Sequence, residues 1–488
     1  MSLKERIKKV SLIFACGTAL FADGSHHSIS NLRRGIVLTR IYGAEKLSEH
    51  NYSRKLTSLA FAGTIVGMLV FGYLSDKIGR KFGMMAATAI IALFSGLSAA
   101  SSGAHGSVDG LLSMLSAMRF LLGVGLGAEY PCGSVAASEQ SEEPGISEKV
   151  RHRWFTLATN VMVDFGFVLG SFVPLVFFWI FGNDHLRAVW RLSLGFGIVP
   201  AAVVFLWRLN MDEPTRYKRD SMKHAAIPYK LVLRRYSGRL AAISFTWFLY
   251  DFIVYPFGLY ASIILDRVTG GSTSLVVVFG WNVVINLFYM PGSIVGAFYV
   301  DRLGAKNTMI LGLLIQALLG FIMSGLYLTL TNHIAAFAVV YGLFLTFGEF
   351  GPGNCIKLLA GKTSPTAIRG QFYGAAAAVG KVGAFVGTWS FPPMIDAFGG
   401  PNSTRGNTGP FWVGSGMAIL SALITFFFVS PIDAEGMVIE DNKFREYLEA
   451  NGYDTAAMGL TAIDVSVNEN SSMEKSDEKN SADEHSNV

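Results

Sequence analysis

The sequence predicts an all-α membrane protein of twelve transmembrane helices arranged as two six-helix halves. Three observations predict it. The chain of 488 residues is 51% hydrophobic and only 15% charged, whereas a soluble globular chain carries roughly 25% charged residues. Its apolar runs recur at close to the ~20 residues that a helix needs to cross a bilayer. A charged turn also recurs about half a chain apart: GYLSDKIGRK from Gly72 to Lys81, and AFYVDRLGAK from Ala297 to Lys306. Aligned on Asp76 and Asp301, the copies are offset by 225 residues (301 − 76) and share D-x-x-G-x-K. Two halves with the same turn after the second helix point to internal repeats of the kind that alternate access across a membrane.

The first half reads as spans at about 10–30, 55–75, 83–102, 111–138, 154–180 and 189–208. The second reads as about 240–264, 275–300, 307–328, 334–359, 371–396 and 411–430. Only helices and closed barrels span lipid, and these runs are too long and too evenly apolar for barrel strands. Residues 1–9 form a short polar start, 209–239 a central loop, and 431–488 a polar tail, expected to be disordered from about 465 where Ser, Glu, Asn and Lys dominate. The run from Val10 follows Lys4, Arg6, Lys8 and Lys9 but no small-residue cleavage site, so no cleavable signal peptide is expected.

Loop charge sets the orientation. Lys77, Arg80 and Lys81, then Lys149, Arg151 and Arg153, then the basic central segment, all fall on one side. Arg302 and Lys306 fall there too, as do Lys357, Lys362 and Arg369. On the positive-inside rule that side is cytoplasmic, as are both termini. The net charge of +5 therefore comes from loops and implies no nucleic-acid partner. Sequons at Asn51 and Asn402 fall in the opposite loops and are candidate glycosylation sites. Cys16, Cys132 and Cys355 lie in or beside apolar runs and read as packing residues, with no disulfide expected.

Charges inside apolar helices are costly and mark function by default. They are Asp23 in the first span, Arg119 and Glu129 in the fourth, Asp164 in the fifth, Asp251 in the seventh, Glu349 in the tenth and Lys381 in the eleventh. The plainer alternative for each is an ion pair between helices. Asp251 lies twelve residues past Arg239 (251 − 239), and Lys381 twelve past Arg369 (381 − 369). At 1.5 Å per residue both sit ~18 Å deep, near the midplane, where opposite signs let them pair or share a substrate. Arg119, ten residues past Asp109 (119 − 109), is ~15 Å from the other side. Trp247 and Tyr255 flank Asp251 at i−4 and i+4 and share its helix face. A Trp, a carboxylate and a Tyr on one face suit a polyol or phosphate-bearing ligand, or simple aromatic packing. Gly123, Gly125 and Gly127, and likewise Gly166 and Gly170, allow close helix approach.

These residues carry a resemblance. The D-x-x-G-R-K turn, the R-x-x-x-G-x-G beginning at Arg119 and the Trp190-Arg191 pair resemble the major facilitator superfamily. RFLLGVGLGAEYP, WFLYDFIVYP, FGPGN and SPTAIRGQFYGAAAAVGKVGA resemble its phosphate:proton symporter branch. FACGTALFADG, AEYPCGSVAASEQSEE and EGMVIEDNKFREYLEANGYD are similar to fungal glycerophosphodiester permeases, which carry glycerophosphoinositol or glycerophosphocholine.

The resemblance implies proton-coupled uptake of glycerophosphodiesters at the plasma membrane, by a monomer without cofactor. Its partners are protons, a small anionic phosphodiester and the lipid bilayer. It implies proton-coupling roles for Asp23, Glu129 and Asp251, with Arg119 neutralising the neighbouring acids, and a substrate site at Trp247, Asp251, Tyr255, Gly353, Asn354 and Lys381. Lys381 would face the phosphate. Asp76 and Arg80, with Asp301 and Lys306, would latch the cytoplasmic side. Three departures stand out: His26 replaces a second acid of the first span, Glu129 replaces Asp, and Gly353 stands where the branch has Asn, with Asn354 beside it. A glycine there would enlarge the site for a substrate larger than phosphate.

The first span is anomalous. Apolar character stops after Ala22, and GSHHSISNLRRGI follows Asp23. Three readings stay open: a broken helix lining a hydrated cavity, a divergent inactive paralogue, or a local reading-frame fault between about Gly24 and Val37. Other functions also remain open, namely an inorganic phosphate symporter, a sugar or inositol symporter, and a non-transporting nutrient sensor. Lys381 disfavours the sugar reading, because a neutral polyol needs no buried cation. The sequence contains no metal-ligand spacing, nucleophile elbow or Walker loop, so no enzyme is expected and transport would be driven by a gradient.

Overall fold

The computed structural model describes residues 3–32, 37–43, 46–47, 52–268, 274–432 and 436–459. Among the described residues every regular element is helical. The chain opens with α1 (Leu3–Gly17), a 3₁₀ turn at Thr18–Leu20, and α2 (Phe21–Leu32). Then follow α3 (Tyr52–Lys77), α4 (Arg80–Ala99), α5 (Val108–Gln140), α6 (Glu148–Phe181) and α7 (Leu186–Arg208). The second half comprises α8 (Tyr229–Val268), α9 (Leu275–Leu303), α10 (Ala305–Gly325), α11 (Ala335–Lys362), α12 (Arg369–Ala397) and α13 (Thr404–Phe428). A last helix, α14 (Gly436–Ala450), follows them.

Ten of these helices are long and apolar enough to cross a membrane. The interrupted first span (α1 with α2) and the glycine- and alanine-rich α12 complete twelve. Leu69, Trp179, Ile180, Leu318 and Phe427 stay exposed on the outside of the bundle. In water that belt would be a liability, but in lipid it is the expected outer surface.

The anomalous first span is helical to Leu32 and packs as a bundle member. A Cβ at Gly24 would run into the Val163 carbonyl of α6, and one at Gly166 into the Phe21 carbonyl, so the two backbones touch where only glycine fits. His26 Nε2 meets Ser95 Oγ at 3.0 Å, and the Ser28 hydroxyl meets that of Ser171. Polar groups of this segment, His26 and Ser28, thus find helix partners.

The halves touch on both sides of a central cavity. On the face bearing the central segment, Asp76 Oδ1 and Oδ2 accept the Gly370 and Gln371 N–H groups, each at 2.8 Å. Arg80 pairs with Asp76 at 2.5 Å and with Glu139 at 3.0 Å, and Arg369 joins Glu139 at 3.0 Å. On the opposite face the Phe178 and Phe279 rings lie 5.8 Å apart, and Asn282 Nδ2 donates to Ser171 Oγ at 2.9 Å.

The tail beyond residue 430 was read only as polar, yet α14 docks on the same face as Asp76. Asp441 accepts the Thr366 N–H and hydroxyl, Glu440 pairs with Arg239 at 3.0 Å, and Arg445 with Asp220 at 3.0 Å. Residues from 460 onward, including the expected disordered stretch, lie outside the described residues.

Candidate functional site

One helical face of α8 brings Trp247, Asp251 and Tyr255 to a central cavity. Lys381 of α12 enters the same space and is only 2% exposed. Its Nζ lies 3.7 Å from Asp251 Oδ2 and 3.8 Å from Asp23 Oδ2, and it contacts the Tyr255 hydroxyl. The ammonium also lies 4.2 Å from the Tyr255 ring centroid and 5.3 Å from that of Tyr130. Tyr130 in turn donates to Asp23 Oδ2 at 2.6 Å. One buried cation thus faces two carboxylates and two tyrosines, the counter-charges that its desolvation requires.

A second polar cluster borders the same cavity. Helix α5 carries a π-turn at Tyr130–Ser134 and α11 one at Glu349–Gly353, each containing a proline, Pro131 and Pro352. Such one-turn bulges re-aim side chains and recur at functional sites. Asn160 Nδ2 donates to Glu349 Oε2 at 2.9 Å and to Asn354 Oδ1 at 2.8 Å, while Asn160 Oδ1 accepts from Lys357 Nζ. Tyr250 donates to Glu349 Oε1 at 2.7 Å. Asp164, Glu349 and Lys357 line the cavity beside Gly353. A Cβ at Gly353 would collide with Glu349 Oε2. The glycine therefore makes room for the chain's own carboxylate, a role the sequence reading did not assign to it. Asn354 sits one layer back, donating to the Ser293 carbonyl at 2.9 Å.

Lys357 needs correction. Counted above with the loop charges, it is only 9% exposed and lines the cavity. The signal was present, because Lys357 falls inside the apolar span read at 334–359. Lys362 and Arg369 are likewise fully buried, in ion pairs with Glu142 and Glu139.

Other candidates lie elsewhere. Glu129 does not line the cavity; it is bound by both terminal nitrogens of Arg208, at 2.6 and 2.8 Å. That guanidinium also donates to the carbonyls of Ala15, Cys16 and Met84. Arg119 donates to the His26 carbonyl at 3.3 Å. Asp301 is bound by Arg153 rather than Lys306, whose Nζ lies 5.6 Å from the Phe426 ring centroid. Asn402 is exposed in the turn before α13, and Asn51 lies outside the described residues. No group of three or more His, Cys, Asp or Glu among the described residues is placed to hold a metal.

The comparisons with known proteins agree with this architecture. Residues 41–388 match the Major Facilitator Superfamily. The chain is 44% identical to the glycerophosphocholine permease GIT4 of Candida albicans over 94% of this chain and 86% of that protein. It is 42% identical to the major glycerophosphoinositol permease GIT3 of the same organism, over 91% and 83%. Identity to the glycerophosphoinositol transporter 1 of Saccharomyces cerevisiae is 32%, over 95% and 87%. Among solved structures, the proton:xylose symporter XylE bound to 6-bromo-6-deoxy-D-glucose superposes with a TM-score of 0.73 at 17% identity, covering 91% of this chain and 100% of that one. This chain is thus a multi-pass membrane transporter rather than an enzyme, and it belongs to the major facilitator superfamily, with the fungal glycerophosphodiester permeases among its relatives.

Proposed function

We propose that this protein takes up glycerophosphodiesters together with protons across the plasma membrane, by alternating access of its two bundles. The observation that carries the reading is Lys381, an ammonium at cavity depth held by Asp23 and Asp251, while Lys357 in the same lining is engaged by Asn160. A phosphodiester is a monoanion at neutral pH, and one buried cation is its electrostatic match. In the empty site the two carboxylates compete for that cation. Protonation of one acid frees the ammonium for phosphate, so anion and proton enter together and the net charge of the Lys381–Asp23–Asp251 group is the same before and after loading. Tyr130 and Tyr255 supply hydroxyls beside Lys381, and Trp247 gives the cavity an aromatic wall.

The face bearing the central segment and α14 is assigned to the cytoplasm, and the protein acts as a monomer. Contacts of Asp76, Arg80 and Asp301 between the halves close that face, and they part when the bundles rock. The test is uptake of labelled glycerophosphocholine and glycerophosphoinositol in cells without their own carriers, at about pH 5 and about pH 7.5, on either side of the histidine range. Uptake greater at the lower pH and absent in Lys381→Ala is expected. Inorganic phosphate competing as well as either diester would replace the substrate assignment. Surface-expressed protein that moves none of the three ligands would favour a sensor.

A further inference from the structure

A second cavity adjoins the first and shares Phe167, Val254 and Tyr255 with it. It lies on the side away from α14, since its residues occupy the far portions of their helices: His27 and Ser28 beyond Asp23, Asn282 and Asn286 near the start of α9, and Tyr341 near the start of α11. The contrast in lining is sharp. The first cavity holds Lys381, Lys357, Asp251, Asp164 and Glu349, whereas among the described residues no acid, lysine or arginine lines the second, and His27 is its titratable group.

Its polar groups are preset. Asn282 and Asn286 each donate through Nδ2 to Ser171 Oγ at 2.9 Å, and Asn286 also to the Asn282 carbonyl at 2.8 Å. Ser171 in turn donates to the Phe167 carbonyl at 2.9 Å and meets the Ser28 hydroxyl. Both amides are thereby held by their nitrogen ends, and neither Oδ1 accepts from a described residue. Two fixed acceptors in an uncharged, aromatic-walled space are matched by hydroxyl donors.

Resting on the phosphodiester reading, we propose that this cavity is the subsite for the headgroup alcohol of the substrate, the one esterified opposite the glycerol that both diesters share, and that it selects a neutral polyol. The phosphate would sit at Lys381, and the ester oxygen would lead past Tyr255 into the second cavity. Asn282 and Asn286 would accept hydroxyl protons there. A quaternary ammonium headgroup has no hydrogen-bond donor and would leave both amide oxygens desolvated without return. Among the described residues no carboxylate in this cavity offers it a counter-charge, which leaves it only the aromatic rings.

The experiment is the concentration dependence of uptake of glycerophosphoinositol and of glycerophosphocholine by the full chain, wild type and with Asn282→Leu or Asn286→Leu. The expected result is a rise of about tenfold or more in the half-saturating concentration for glycerophosphoinositol, with glycerophosphocholine changed by less than about twofold. Asn282→Ser, which keeps a hydroxyl next to Ser171, carries the same expectation and replaces a leucine variant that fails to reach the surface. Equal changes for the two diesters, or none, would overturn the subsite while leaving the transport reading intact. So would a wild type that carries glycerophosphocholine and is not inhibited by glycerophosphoinositol. A wild type that carries neither diester brings down the underlying reading, and the subsite with it.

Discussion

Asp301 and Arg153 join the two halves of the molecule: Asp301 Oδ1 accepts the Arg153 backbone N–H at 3.2 Å and its Oδ2 takes the guanidinium Nε at 3.1 Å. The repeat partner Asp76 does the same in reverse, accepting the N–H groups of Gly370 and Gln371 in the other half. Each aspartate of the repeated turn therefore caps the first turn of a helix across the interface. There the positive end of the helix dipole favours a carboxylate. The repeat noticed in the sequence is a symmetrical device for holding one face of the bundle together.

The two caps are unequal. Asp76 is fully buried and also binds Arg80, whereas Arg153 beside Asp301 is partly exposed. A buried hydrogen bond to a charged group contributes about 1.5–3 kcal/mol, and Asp76 adds a fully buried Arg80 to its two backbone bonds, whereas the guanidinium on the buried Asp301 carboxylate is partly in solvent. Asp76→Asn is expected to reduce uptake at least about tenfold, and Asp301→Asn about threefold, at equal surface amounts. Cysteine labelling from the cytoplasmic side should rise in the same order. Equal effects would contradict the burial argument.

On the proposed mechanism, removing the Asp251 carboxylate should uncouple transport rather than abolish binding. With Asp251→Asn the group beside Lys381 is permanently neutral. Exchange of labelled for unlabelled diester is expected to persist, while accumulation against a gradient is lost. Accumulation retained at wild-type levels would place coupling on another acid, with Asp23 next to be tested.

Glu129 is predicted to matter for folding. Its pair with Arg208 is buried, and that guanidinium also satisfies three backbone carbonyls. Breaking one partner of such a pair costs about 3–5 kcal/mol. Glu129→Gln and Arg208→Gln should therefore lower the unfolding temperature in detergent and the amount of protein at the surface. A Glu129→Gln protein of normal stability that has lost only its pH dependence would restore the coupling role.

The Glu142 contacts on the face with α14 should be insensitive to mild acid, whereas burial raises the pKa of Asp441 on α14 itself. Burial alone would raise the Glu142 pKa, but the Lys362 and Arg216 charges outweigh it and hold it below its ordinary 4.5. A depressed acid stabilises the closed contact above that ordinary value and loses this contribution only as pH falls through the lowered one. Between about pH 7.5 and about pH 5 Glu142 should thus contribute no change to the protease sensitivity of the central segment in the wild type. Glu142→Gln should raise it at both values. Opening of the wild type across this interval would assign the titration to another group.

Depth was legible in the sequence and direction was not. Helix rise makes depth a linear function of residue number, so run lengths alone determined the twelve spans and placed Asp251 and Lys381 at one level, 3.7 Å apart in the structure. The face shared by Trp247, Asp251 and Tyr255 also followed from spacing along a single helix. Which charge meets which depends instead on how separate helices rotate and pack, and no local pattern encodes that. Tertiary structure alone decided that Glu129 turns to Arg208, that Asp301 reaches Arg153 rather than Lys306, and that Lys357 points to Asn160 inside the cavity. It also decided that the tail folds as α14, because that helix gains its partners, Arg239 and Thr366 among them, only from segments distant in the chain.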